Sequence, residues 1–256
     1  MALIEFGGGI KRMSGSIAGN IFDRGTDYNA VRGKTKPVDK NTANQQRIRS
    51  TFAYLSTRWA QTLSDVQRTA WGVYGSTVTI KNRLLEDIHV SGFHHYLRSN
   101  IIRLQSGLAP VDNGPVVMSI PASDPAFAIE VDEFSQEIYV TFNDALDWAN
   151  ENDGHMFVYQ GRPMTHQTTF FRGTWRSCGD IEGSAAAAPA IPATQQNVFV
   201  ATENQNQFAY ARIGRADGRL SEQMFSDSFR SESHANRYDY FVVRSNRKHS
   251  DRLCAV

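Results

Sequence analysis

The chain has 256 residues with 41% hydrophobic and 11% aromatic content, enough for one large core or two small ones. No apolar run reaches the roughly 18 residues of a membrane span, and Met1 to Gly19 lacks the continuous apolar centre of a secretory signal, so the expectation is a protein made in the cytoplasm with no membrane segment. The formal charge of +1 conceals a polarity: 15 Lys and Arg stand against 7 Asp and Glu through Pro110, and 12 against 19 after it. A basic front and an acidic back point to a chain that touches two kinds of surface, or to copies that attract head to tail.

Residues 1–41 read as an extended arm, because glycines recur every few residues among basic side chains with almost no apolar period. Such a segment buries too little surface to offset the entropy of ordering it, so its structure is expected to come from a partner. Gly15 and Gly19 allow positive φ or close backbone approach, and Pro37 stiffens the entry to the first helix. Phe22, Arg24, Arg32, Lys34 and Lys36 are the arm's candidate contact residues, since guanidinium forks suit the carboxylates of neighbouring subunits. Nucleic-acid phosphate is the alternative ligand for this row, extended by Lys11, Arg12, Lys40, Arg47 and Arg49, although only Phe22 and Tyr28 could stack on bases.

Residues 42–110 read as a helical segment. Ile48, Phe52, Leu55 and Trp59 form one apolar stripe behind an Asn41 or Thr42 cap. Ser64 and Gln67 have capping-box spacing before a second helix that buries Val66, Ala70 and Trp71. The two make a helical hairpin, with Trp59 and Trp71 as its locks and Gln45 and Arg49, one turn apart, pinning the arm's return. Ser76 to Lys81, rich in β-branched residues, reads as a short strand or extended link. A third helix starts at Ser91, buries Phe93, Leu97, Ile101 and Leu104, and stops at Gly107. The helical core is thus expected to hold Phe52, Trp59, Trp71 and Phe93. The sequence APVDNGP then marks a linker.

Residues 111–229 change texture to short alternating runs: VVMSI, AFAIEVD, EIYVTF, HMFVYQG, TTFFRGTWRS, NVFVAT, QFAYARIG and RLSEQMFS. Their spacing predicts an antiparallel β-sandwich, with Ile138, Val140 and Phe142 on one face and Ala209, Ala211 and Ile213 turned to the core. The proline-bearing GSAAAAPAIPA, from Gly183 to Ala193, is expected to be a loop. Residues 230–256 form a polar tail. The predicted class is α+β, mainly β.

Catalytic and metal signatures are sparse. His89, His94 and His95 lack the spacing of a shared metal site and read as partly exposed helix residues. Asp144, Asp147, Glu151 and Asp153 do not match a calcium loop and read as solvated. Cys178 and Cys254 fit neither a zinc knuckle nor a redox pair and are expected to be free thiols. No HExxH, CxxC, nucleophile elbow or P-loop appears, so no enzyme activity, cofactor or metal is expected.

Several stretches together, GSIAGNIFDRG, VRGKTKPVDKNTANQQRIRSTF, the W-x-x-x-L-S-x-x-Q-R-x-x-W run from Trp59 to Trp71, SGFHHYLRSNIIR and GRADGRLS, carry a further signal. In this order the chain resembles a family of tailed-bacteriophage structural proteins in which a Gly-rich arm and a helical segment precede a fibronectin-type-III-like sandwich. The resemblance covers about residues 7–222, and its least common part is Pro37, Thr42, Gln45 and Arg49. It implies a virion protein, made in the bacterial host cytoplasm, whose partners are major capsid or connector subunits and further copies of itself. Capsid cement, decoration or minor capsid protein is the leading expectation. A head-to-tail connector, collar or tail component, or a DNA-contacting protein at the portal or capsid interior, is the alternative, and a carbohydrate-binding adhesin with exposed loop aromatics such as Trp148 and Trp175 is a third reading.

Overall fold

The computed structural model describes residues 2–3, 8, 13–24, 29–36, 38–81, 87–168, 170–171, 173–226 and 229–230. Pro37, Lys11, Arg12, Tyr28 and the tail beyond Arg230, Cys254 included, lie outside them. The chain divides into two units, Met1–Gln46 and Arg47–Val256.

In the first unit four strands, β1 (Ala2–Leu3), β2 (Gly15–Ile17), β3 (Asn20–Arg24) and β4 (Asn29–Gly33), form an antiparallel sheet in the order β1-β4-β3-β2. The two residues joining β2 to β3, Ala18 and Gly19, have φ of 47° and 82°. Two successive positive φ values make a type I′ turn, whose twist matches that of the flanking strands. The arm therefore contains a β-ladder that its sequence does not announce. Apolar periodicity reports burial, and this sheet buries almost nothing: Ala30 is its one fully buried side chain among the described residues. Its order rests on main-chain hydrogen bonds and one turn.

Three helices come next in the chain. Helix α1 (Ala43–Gln61) begins at a reciprocal cap: Gln45 N–H donates to Thr42 Oγ1 at 3.4 Å, and Thr42 N–H to Gln45 Oε1 at 3.0 Å. Helix α2 (Asp65–Thr77) has the expected Ser64–Gln67 capping box. The strands β5 (Thr79–Lys81) and β6 (Asp87–His89) pair antiparallel before α3 (Gly92–Gln105), which Ser91 caps and Gly107, at φ 84°, ends. Leu55, Leu63, Trp71, Tyr74, Val78, Tyr96 and Leu97 make the helical core, with Trp59 and Phe93 packed against it. Both tryptophans meet Tyr96, with ring centroids 5.3 Å (Trp59) and 5.7 Å (Trp71) away. Gly92 is required by close approach, since a Cβ there would lie 2.4 Å from the Trp71 carbonyl.

Two expectations for these helices fail. Phe52 is 48% exposed and Val66 78%, so neither belongs to the core. Only the C-terminal half of the α1 stripe, Leu55 and Trp59, meets other helices. The linker is also more than a connection. Arg58 grips the Asp112 carboxylate through Nε at 2.8 Å and Nη2 at 2.5 Å, Trp71 Nε1 donates to the Asp112 carbonyl at 2.9 Å, and Asn100 exchanges two hydrogen bonds with Val111. It is strapped onto the helices.

The remaining strands are β7 (Ala128–Asp132), β8 (Glu137–Thr141), β9 (His155–Gly161), β10 (Met164–Thr165), β11 (Trp175–Glu182), β12 (Ala193–Gln196), β13 (Gln205–Gln207), β14 (Ala209–Gly214), β15 (Met224–Phe225) and β16 (Phe229–Arg230). A three-stranded sheet β12-β8-β7 and a four-stranded sheet β11-β9-β14-β15 face one core, with β10-β13-β16 as a short third sheet. Ile129, Val131, Ile138, Val140 and Phe142 come from one side of that core, and Met156, Val158, Ala209, Ala211 and Ile213 from the other. The fold is α+β and mainly β, with the predicted faces inward.

The runs VVMSI and NVFVAT are not strands. Val116 is 87% exposed and Val200 75%. The edge strand next to β8 is instead the polar ATQQ of β12, whose last residue, Gln196, pairs with Glu137, the first of β8. Past that point Asn197 N–H still donates to the Gln136 carbonyl at 3.0 Å, just before β8, and Val198 N–H turns away to Gln160 Oε1 at 3.0 Å. All seven residues of β9 are buried, because the second face of its sheet carries Phe157, Tyr159 and Tyr210 against Ile102 and Leu108.

Candidate functional site

Of the arm residues singled out from sequence, Gly15 and Gly19 have φ of 123° and 82°, and a Cβ at either would meet nothing within 4 Å. They serve backbone shape, not packing within the arm. Phe22 pairs across β2–β3 with Gly15 and is half-buried, and Arg24 lies at the end of β3. Arg32 is already engaged, since its Nε donates to Asp23 Oδ2 at 2.8 Å across the β3–β4 pair. That pair is exposed and adds little to stability, so it can be exchanged for another carboxylate. Lys34 and Lys36 are exposed, as are Ser16 to Asn20 around the turn. Strand β2 is one edge of the four-stranded sheet, and among the described residues no strand pairs with its outer side, the side that strand addition would use.

At the junction, the Gln45 side-chain oxygen accepts the Thr42 N–H and closes the α1 cap, because a residue three after an N-cap is placed to reach back to it. Arg49 is exposed on α1, where Arg47, Ile48 and Phe52 are exposed as well. From Ala43 to Gln61 the helix has three arginines and no carboxylate, so its uncovered half combines apolar and positive surface. Sequence periodicity found this stripe but assigned all of it to the core, since a pattern of spacing cannot say where the covering element ends.

The candidate chemical groups resolve into structural roles. His94 is exposed and His95 is buried, edge-on to Tyr74 at 5.0 Å. Burial, with Arg98 nearby, lowers the His95 pKa to about 4, so it is a neutral core residue and not a partly exposed one. The acidic loop is largely solvated, as expected, with Asp144, Asp147 and Asp153 exposed, but it is also partnered: Arg215 binds Glu151 at 2.7 and 2.6 Å and Asp147 at 3.1 Å. Sequence reasoning passed over His155, which is buried with Asp180 2.8 Å from Nδ1 and Asp153 3.5 Å from Nε2. Asp153 also holds Arg103 of α3 at 3.1 Å, so this constellation joins helix to sheet. Trp148 is 1% exposed, against the adhesin reading, and Trp175 packs edge-on to Tyr210 and Phe171. Burial raises the Cys178 thiol to about 12, which makes it unreactive.

Among the described residues no group of three or more His, Cys, Asp or Glu is placed to hold a metal ion, and no helix is long and apolar enough to cross a membrane. Comparison with family models and with curated protein sequences finds no match for the chain.

Proposed function

We propose that the chain is a non-enzymatic structural protein of a tailed-bacteriophage virion, a cement, decoration or minor capsid protein anchored through its arm. The observation that carries the reading is the first unit: four paired strands in which Ala30 is the one fully buried side chain among the described residues, with an exposed turn and an edge strand. A sheet of this kind is poorly supported alone and gains its stability when a neighbour covers a face or extends the ladder. The uncovered half of α1 adds a second contact, and repeated copies supply avidity to weak single contacts. The three-plus-four division of the sandwich supports the comparison with fibronectin type III domains and leaves it as the projecting or bridging element.

A second reading, contact with packaged DNA, is favoured by the stretch from Gly33 to Ser64, where Lys34, Lys36, Lys40, Arg47, Arg49 and Arg58 face Asp39 as the one carboxylate. Deleting residues 1–36 tests the anchor. The truncated protein is expected to fold, stay soluble and fail to join particles. Normal incorporation of the truncated protein would remove the arm from the mechanism. Association of the full chain should persist from low to moderate salt, whereas a phosphate contact should weaken steeply over the same range.

A further inference from the structure

The outer face of the β9–β14 pair carries Phe157, Tyr159, Tyr210 and Arg212, with Arg212 opposite Phe157 and Tyr210 opposite Tyr159. Arg98 of α3 reaches the same seam. Its Nη1 donates to the Leu220 carbonyl at 3.0 Å and its Nη2 to the Ser221 carbonyl at 2.8 Å, while Glu222 Oε2 lies 3.8 Å away. Glu222 Oε1 accepts the Lys81 N–H at 3.3 Å.

Arg212 is placed differently. Its Nε is buried without a hydrogen-bond partner, and its guanidinium makes no hydrogen bond or ion pair among the described residues. Burial lowers the pKa of both arginines, that of Arg98 to about 10, with the charge of Arg212 as a further cause. Glu222 is the carboxylate that acts on both. Two desolvated cations thus share one anion, which is itself 3.8 Å from Arg98 and engaged with a backbone amide. Arg212 is half-buried, and the nitrogen of its guanidinium that is shut away from solvent, Nε, has no acceptor, although buried polar groups ordinarily have a partner. The acceptor that matches a guanidinium fork is a planar or tetrahedral oxyanion.

We propose that Arg212, backed by the charge of Arg98 and flanked by Tyr159 and Tyr210, binds a small oxyanion, a phosphate or carboxylate group, in the seam between α3 and the four-stranded sheet. Tyr159 and Tyr210 stand opposite each other one step along the same face of the β9–β14 pair from Arg212 and Phe157. The site belongs to the second unit and does not depend on the arm or on the virion reading.

Thermal unfolding of the full chain, titrated with inorganic phosphate or with acetate against chloride at matched ionic strength, tests it. Binding is expected to raise Tm saturably, by roughly 5 °C at about a hundredfold excess over the dissociation constant. A response to phosphate assigns a phosphate ligand and one to acetate alone a carboxylate. No response to either beyond chloride overturns the site. Arg212→Met should abolish the response, and without added oxyanion its Tm should equal or exceed that of the parent, because an unpaired charge has been removed. An Arg212→Met protein that still responds, or that loses stability without the oxyanion, also overturns it.

Discussion

At His95 a ring buried to 2% exposure faces Tyr74 at 5.0 Å, with Arg98 and His94 as the cationic neighbours on its own helix. Desolvation favours the neutral ring and lowers its pKa from 6.5 to about 4 in the folded chain. Above about pH 6.5 the ring is neutral in both states and its contribution to stability is complete. Below that value the unfolded chain takes the proton first, so stability falls as pH drops and levels off below about pH 4, a loss of about 3 kcal/mol from this residue. Urea unfolding of the parent and of His95→Phe at about pH 7 and about pH 4 should show a smaller loss in the variant. Equal losses would place the acid sensitivity elsewhere. The sequence showed His95 as one of two adjacent histidines on a helix, and periodicity had no means of separating the buried one from the exposed one. A helix face is defined by what lies against it. The covering ring, Tyr74, comes from a different helix.

Along α1 the same distinction becomes measurable. Leu55 is fully buried among Trp71, Tyr74 and Tyr96, whereas Phe52, one turn earlier on the same stripe, is 48% exposed. Leu55→Ala is expected to cost about 2–5 kcal/mol because it leaves a cavity, while Phe52→Ala should change stability by less than about 1 kcal/mol. Chemical denaturation of the two variants checks this. A large loss for Phe52→Ala would mean that the uncovered half of α1 is packed in solution. The existence and ends of the helices were legible, since Ser64, Ser91 and Gly107 act locally through side-chain caps and a positive φ. The strap from Ala109 to Asn113 was not. Proline, asparagine and glycine announce irregular backbone, and nothing in their order tells that Asp112 will meet Arg58, 54 residues earlier. In the sandwich the inward faces followed from alternation, but the edge strand β12 did not. Its polar ATQQ holds its place by pairing with β8, a tertiary choice that overrides low strand propensity.

At the scale of the whole chain, the two units differ in what holds them. The second contains three apolar clusters and a dense set of charged hydrogen bonds between helices and sheets. The first has paired strands, a two-residue turn and a single fully buried side chain, Ala30, among the described residues. Backbone ladders with so little apolar cover open at small free-energy cost, whereas core strands such as β9 and β14 open only with global unfolding. Native-state hydrogen exchange should therefore separate the units. In the free protein, amides of Gly15–Arg24 and Asn29–Gly33 are expected to exchange at least 10²-fold faster than those of His155–Gly161. Under the proposed anchoring role, the arm amides should slow markedly on assembled particles, because a covering neighbour would supply the burial the sheet lacks, while β9 should be unchanged. Arm amides that are already slow in the free protein would mean that the sheet is stable by itself, and fast exchange in both states would mean that the anchor lies on another surface.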